Sequence, residues 1–69
     1  MRTAEIEALH NHAKRLYVAG VMDREKFFEV TGWLSRAAAC DLDGDAANVG
    51  LFVGKVAYAL EVARAKHQS

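Results

Sequence analysis

The sequence predicts an all-α domain of three helices, with the first two folded into an antiparallel hairpin. Three observations carry that prediction. Apolar residues recur at spacings of three and four in three separate runs, the period of one helix face. No proline occurs anywhere in the 69 residues, so the strongest helix breaker is missing throughout. Between the runs lie two short stretches, 19–23 and 41–45, that contain the Gly and Asp residues able to stop one helix and start the next.

The first helix is expected over 4–19, with Thr3 as its N-cap, because a hydroxyl can accept from a free N–H of the first turn. Ile6, Leu9, Ala13, Leu16 and Gly20 form a narrow apolar seam. Gly20 can take the left-handed conformation that ends a helix, which brings Val21 back to Leu16. Asp23 is the next N-cap. Met22 before it and Phe27 after it form a hydrophobic staple across the start of the second helix. A stop and a start written this close together imply a tight helical hairpin.

The second helix is expected over 24–40. Steps of about 100° per residue give a core stripe of Phe27, Val30, Thr31, Leu34, Ala37 and Ala38. A second stripe holds Phe28, Gly32, Ser35 and Ala39, one ring followed by small residues. Glu29 and Arg36 form the polar strip, with Trp33 and Cys40 on its border. So little polar surface predicts cover on more than one side. The third helix is expected over 46–66, capped by Asp43 or Asp45. Its main stripe is Val49, Phe52, Val53, Val56, Ala59, Leu60 and Ala63. Leu51, Tyr58, Val62 and Ala65 lie on the opposite side, and Gly50, Gly54 and Ala57 form a small-residue edge between the two stripes. The whole chain reads as one domain.

Composition narrows the function. At 52% hydrophobic residues the chain is too apolar for a disordered tail. Nine basic residues balance nine acidic ones, without the basic surplus of a nucleic-acid binder. One cysteine cannot form an internal disulfide, so the chain reads as cytoplasmic rather than as a stapled secreted miniprotein. The N-terminus lacks the apolar stretch of a signal peptide. The most apolar segment, 49–63, carries Lys55 and Glu61 and is shorter than the roughly 20 residues of a membrane span. No membrane association is expected.

The chemistry-bearing side chains do not converge in sequence. Asp41, Asp43 and Asp45 match the first three ligand positions of a calcium-binding EF-hand loop, but Ala46 and Phe52 stand where that loop needs Gly and a bidentate Glu. Helix capping explains them with less. His10 and His12 point about 200° apart on a helix, unlike the i, i+4 pair that shares a metal. Cys40 has no second cysteine to complete a site. No spacing ties Tyr17, Tyr58, His10 and Glu61 into an acid–base or nucleophilic set. No enzyme activity, cofactor or metal is expected. A helix-turn-helix reading meets two Phe side chains at 27 and 28, poor readers of base edges.

The stretch Leu16-Tyr17-Val18-Ala19-Gly20-Val21-Met22-Asp23-Arg24-Glu25-Lys26-Phe27-Phe28 resembles the helical hairpin of SHOCT-type oligomerisation domains, with the likeness covering residues 9–34. That resemblance implies self-association. In size, helical character and lack of catalytic equipment the chain is also similar to small phage-encoded host-takeover proteins, among them anti-activators of quorum-sensing transcription factors. This second resemblance implies inhibition of a regulatory protein.

Size adds a further expectation. Below about 70–80 residues a single core rarely supplies more than roughly 3–5 kcal/mol, and small domains often make up the difference by oligomerising. Homodimerisation through Phe28, Gly32 and Ser35 with Leu51, Tyr58 and Val62 would cover the two outer stripes. Trp33 has two readings, a boundary residue packed beside Val30 and Ala37 or an exposed anchor. In the second, Trp33 and Arg36 form a contact pair for another protein. The carboxylates of Asp41, Asp43 and Asp45 would then favour a basic surface such as that of a DNA-binding protein. The expected function is a non-enzymatic interaction module that regulates, by inhibition, a partner such as a transcriptional regulator. A structural oligomerisation module and a nucleic-acid-associated regulator are the alternatives.

Overall fold

Residues 2–68 are described by the computed structural model. Three helices account for most of them: α1 (Thr3–Val18), α2 (Arg24–Leu42) and α3 (Ala46–Gln68). The all-α expectation holds, and no strand occurs among the described residues. α2 is the middle helix. It packs along both neighbours, whereas α1 and α3 meet far less. The result is elongated, 38 × 19 × 17 Å with a radius of gyration of 11.9 Å, against about 11 Å for a compact chain of this length.

The first turn forms as its residues dictate. Gly20 takes φ 78°. Val21 N–H donates to the Leu16 carbonyl at 2.9 Å and Gly20 N–H to the Tyr17 carbonyl at 3.1 Å, the paired bonds of a Schellman motif. Met22 is 3% exposed. Phe27 stacks on Tyr17 with ring centroids 4.5 Å apart and planes 8° from parallel. The Asp23 carboxylate accepts from Lys26 N–H at 2.8 Å and caps α2.

At the second turn α2 runs two residues beyond the expected end at Cys40. The left-handed residue there is Gly44, also at φ 78°, so Asp41 and Leu42 complete the last helical turn. Asp45 N–H donates to the Cys40 carbonyl at 2.9 Å and Gly44 N–H to the Asp41 carbonyl at 3.2 Å. Of the two expected caps for α3, Asp45 is the one used. Its carboxylate accepts from Asn48 N–H at 3.3 Å and from the Asn48 side-chain amide at 2.6 Å.

The start of α1 departs from expectation. Thr3 lies inside the helix, Arg2 is at the cap position, and no side chain of α1 caps it. The acceptor comes from the end of α2 instead. Arg2 N–H donates to both carboxylate oxygens of Asp41 at 3.2 Å, and the Thr3 hydroxyl donates to one of them at 3.3 Å. An ionised carboxylate is a stronger acceptor than a hydroxyl for a helix N-terminus, and the fold brings one there. The Arg2 guanidinium hydrogen-bonds Glu5 at 2.9 and 3.0 Å. That bond, and the carboxylate charge behind it, raise the Arg2 pKa above its ordinary value.

The core is wholly apolar: Ile6 and Ala13 of α1, Met22, then Val30, Leu34 and Ala37 of α2, and Val49, Val53, Val56 and Leu60 of α3. Leu9, Leu16, Phe27, Trp33 and Phe52 pack against it half-buried. Ala38, expected in the α2 stripe, is exposed, because one further 100° step from Ala37 carries it past the line to α1. The ion pairs Arg2–Glu5 and Lys26–Glu29 have side chains more than 40% exposed, where water and salt screen them. Stability therefore rests on apolar burial and the caps. α3 is longer than the apolar segment judged too short for a membrane. It has 23 residues with an 18-residue window of mean hydropathy 1.3, enough to cross a bilayer by length and composition alone.

Candidate functional site

Four residues expected in two separate roles come together. Trp33 of α2 and Leu51, Tyr58 and Val62 of α3 line one open groove of about 860 Å³ along the two helices. Each is placed there by helical period. Leu51, Tyr58 and Val62 follow the spacing of one face, and the core takes α3's other face through Val49, Val53, Val56 and Leu60. Leu51 is 54% and Tyr58 63% exposed, while Trp33 is half-buried against the core. Gly54 also lines the groove, and a Cβ built on it would meet nothing within 4 Å. The middle of the groove is open to an approaching backbone.

Lysines edge this apolar surface. Lys26, Lys55 and Lys66 line it, against a single acid, Asp23. Asp23 is engaged in capping α2, and Lys26 pairs with Glu29 at 3.3 Å. Lys55 has a different environment. Its ammonium lies 5.7 Å from the centroid of the Trp33 ring and 6.0 Å from that of Phe52. Such contacts are worth about 0.5–1 kcal/mol at an exposed site. Sequence reasoning treated Lys55 only as a charge interrupting an apolar run. Its position, four residues after Leu51 and three before Tyr58, was the available signal that it shares their face.

The other expected site residues are placed apart. Arg36 is exposed and does not line the groove. Asp41 holds the start of α1, Asp43 is the C-cap residue of α2, and Asp45 caps α3. Phe28 is 57% exposed under the Arg24 guanidinium, 5.3 Å from its ring centroid. Gly32 is exposed nearby on α2. Ser35 lines a smaller depression of about 440 Å³ with Ile6, His10 and Thr31, between α1 and α2. The six residues expected to be covered by a dimer thus lie on more than one face, Phe28 and Gly32 on α2 and Leu51, Tyr58 and Val62 on α3.

No group of three or more His, Cys, Asp or Glu is placed to hold a metal among the described residues. What the groove offers is rigid aromatic and aliphatic area, one indole N–H and ammonium groups, the equipment of contact. No protein-family model, no curated protein and no solved structure matches the chain.

Proposed function

We propose that this protein is a non-enzymatic interaction module that regulates another protein, by inhibition, through covering part of its surface. The observation carrying this reading is the groove itself: Trp33, Leu51, Tyr58 and Val62 gathered on one side of a 69-residue chain. Large aromatic side chains beside apolar ones are the usual anchors of binding energy. A transcriptional regulator is the partner class the sequence favours. The module acts as a homodimer, and the exposed Phe28 with Gly32 on the outer face of α2 is the surface left for a second copy once the groove is given to the partner.

The test is chemical crosslinking in cells that express the tagged full chain, followed by mass spectrometry. Wild-type protein is expected to recover one partner whose crosslinks map to α3. Tyr58→Ala should reduce recovery at least fivefold while the circular dichroism spectrum is unchanged, since Tyr58 is largely exposed. Equal recovery by the variant, or no specific partner, overturns the reading.

A further inference from the structure

We propose that the groove beside α3 receives an amphipathic helix of another protein, one whose apolar stripe is edged by carboxylates. This inference rests on the binding-module reading and names the chemistry of its partner.

Charge is the first argument. Three lysines and one acid, Asp23, line the groove; Asp23 is engaged by a backbone N–H and Lys26 by Glu29. Lys55 is the central one. Its ammonium is held over two rings and makes no ion pair among the described residues. A ring face attracts a cation less strongly than a hydrogen-bonded carboxylate does. An incoming Glu or Asp would complete the set of contacts that the rings only begin.

Shape is the second. From Gly50 to Lys66 the lining of α3 runs about 24 Å at 1.5 Å per residue, the length of a helix of roughly four turns. Leu51, Tyr58 and Val62 supply the ridge, and the open space at Gly54 lets a partner backbone come close. Apolar anchors at helical spacing over such a surface are the helix-in-groove mode of recognition.

Symmetry is the third argument, and it selects against a second copy. A closed two-fold contact sets the same patch against itself. Lys55, towards the middle of the groove's length, would then lie near its own copy, and like charges brought together oppose association.

The experiment uses the only tryptophan of the chain, Trp33, as the reporter. Two synthetic 18-residue helical peptides share one leucine stripe and contain no tryptophan. Glutamates flank the stripe in one and lysines in the other. Each is titrated into the full-length protein. The glutamate peptide is expected to change Trp33 emission saturably and to bind at least tenfold more tightly than the lysine peptide. Lys55→Glu should bring that preference below threefold, and Lys55→Gln should lie between. Lys55 is exposed, and circular dichroism checks that both variants stay helical. Equal binding, a preference for the lysine peptide, or a preference unaffected by Lys55→Glu overturns the proposal. So does a Trp33 change that follows the protein's own concentration together with dimer formation in sedimentation, which would seat a second copy in the groove. A response to phosphatidylcholine vesicles but to neither peptide would assign the face to lipid and also overturn it. A crosslinked partner without glutamate preference leaves the binding-module reading standing and removes this one. Glutamate preference with no cellular partner overturns both, since the inference requires a partner protein.

Discussion

At both turns a glycine sits at φ 78° and the residue after it donates to a carbonyl of the preceding helix, yet the surrounding side chains are of opposite character. Around Gly20 the closure is apolar: Met22 buried, Tyr17 stacked on Phe27. Around Gly44 it is polar: Asp45 on Asn48, and Asp41 reaching across to Arg2 and Thr3. The first turn joins two helices using only residues near it in the chain. The second also fastens the beginning of the chain, because the Asp41 carboxylate ties the end of α2 to the start of α1 beside the turn into α3.

If that contrast is right, the largest effect comes from the apolar closure. Met22→Ala should cost about 2–5 kcal/mol, the range for emptying a buried methionine site, and should leave a substantial part of the chain unfolded without denaturant. Urea titration followed by circular dichroism measures it. A loss below about 1 kcal/mol would show that the first turn does not depend on its apolar seal.

The glycines test the shared backbone device. An added Cβ meets nothing within 4 Å at either position, so only the left-handed conformation resists it. Gly20→Ala and Gly44→Ala should each cost about 1–2 kcal/mol and differ by less than about 0.5 kcal/mol. A much larger loss at one of them would mean that side-chain closure, not φ, governs that turn.

The smallest effects belong to the carboxylates. Asp45→Ala should cost about 1 kcal/mol, the usual loss of an N-cap. Asp41→Ala should cost about half as much, because its bonds to Arg2 and Thr3 are long and exposed. The two are separable by amide hydrogen exchange. Asp41→Ala should speed exchange in the first turns of α1, and Asp45→Ala in the first turns of α3. Uniform acceleration over all three helices by Asp41→Ala would contradict a local fastening.

The same contrast explains what the sequence reveals. Every part of the Gly20 turn lies between Leu16 and Phe27, so local rules of capping and stapling suffice to read it. The Gly44 turn obeys the same rule, but three aspartates beside it suggest a turn beginning at Asp41, two residues early. The cap of α1 is illegible locally because donor and acceptor are 39 residues apart. The groove divides in the same way. Helical period alone puts Leu51, Tyr58 and Val62 on one face. That Trp33 joins them depends on how α2 and α3 pack, which no single-helix pattern contains. The place of Lys55 on that face is legible from its spacing to Leu51 and Tyr58, but its contact with the Trp33 ring depends on the packing of α2 against α3.

An odd number of helices carries an electrostatic consequence. α1 and α3 run the same way and α2 runs against them, so two helix N-termini and one C-terminus share the end that holds Arg2, Asp41 and Asp45. Each N-terminus behaves as about half a positive charge, and each C-terminus as about half a negative one. Two of one against one of the other leave that pole with a net positive field from the backbone. Asp41, Asp43 and Asp45 sit on it. At the far pole, where α1 and α3 end, Arg15, Lys66 and His67 occupy the last turns and face the opposite field. The charged clusters at both ends thus offset the peptide dipoles beneath them. Seen from beyond a Debye length, about 8 Å at physiological salt, neither pole is a strong attractor. Among the charged residues that line the groove, Lys55 is the one placed away from both poles.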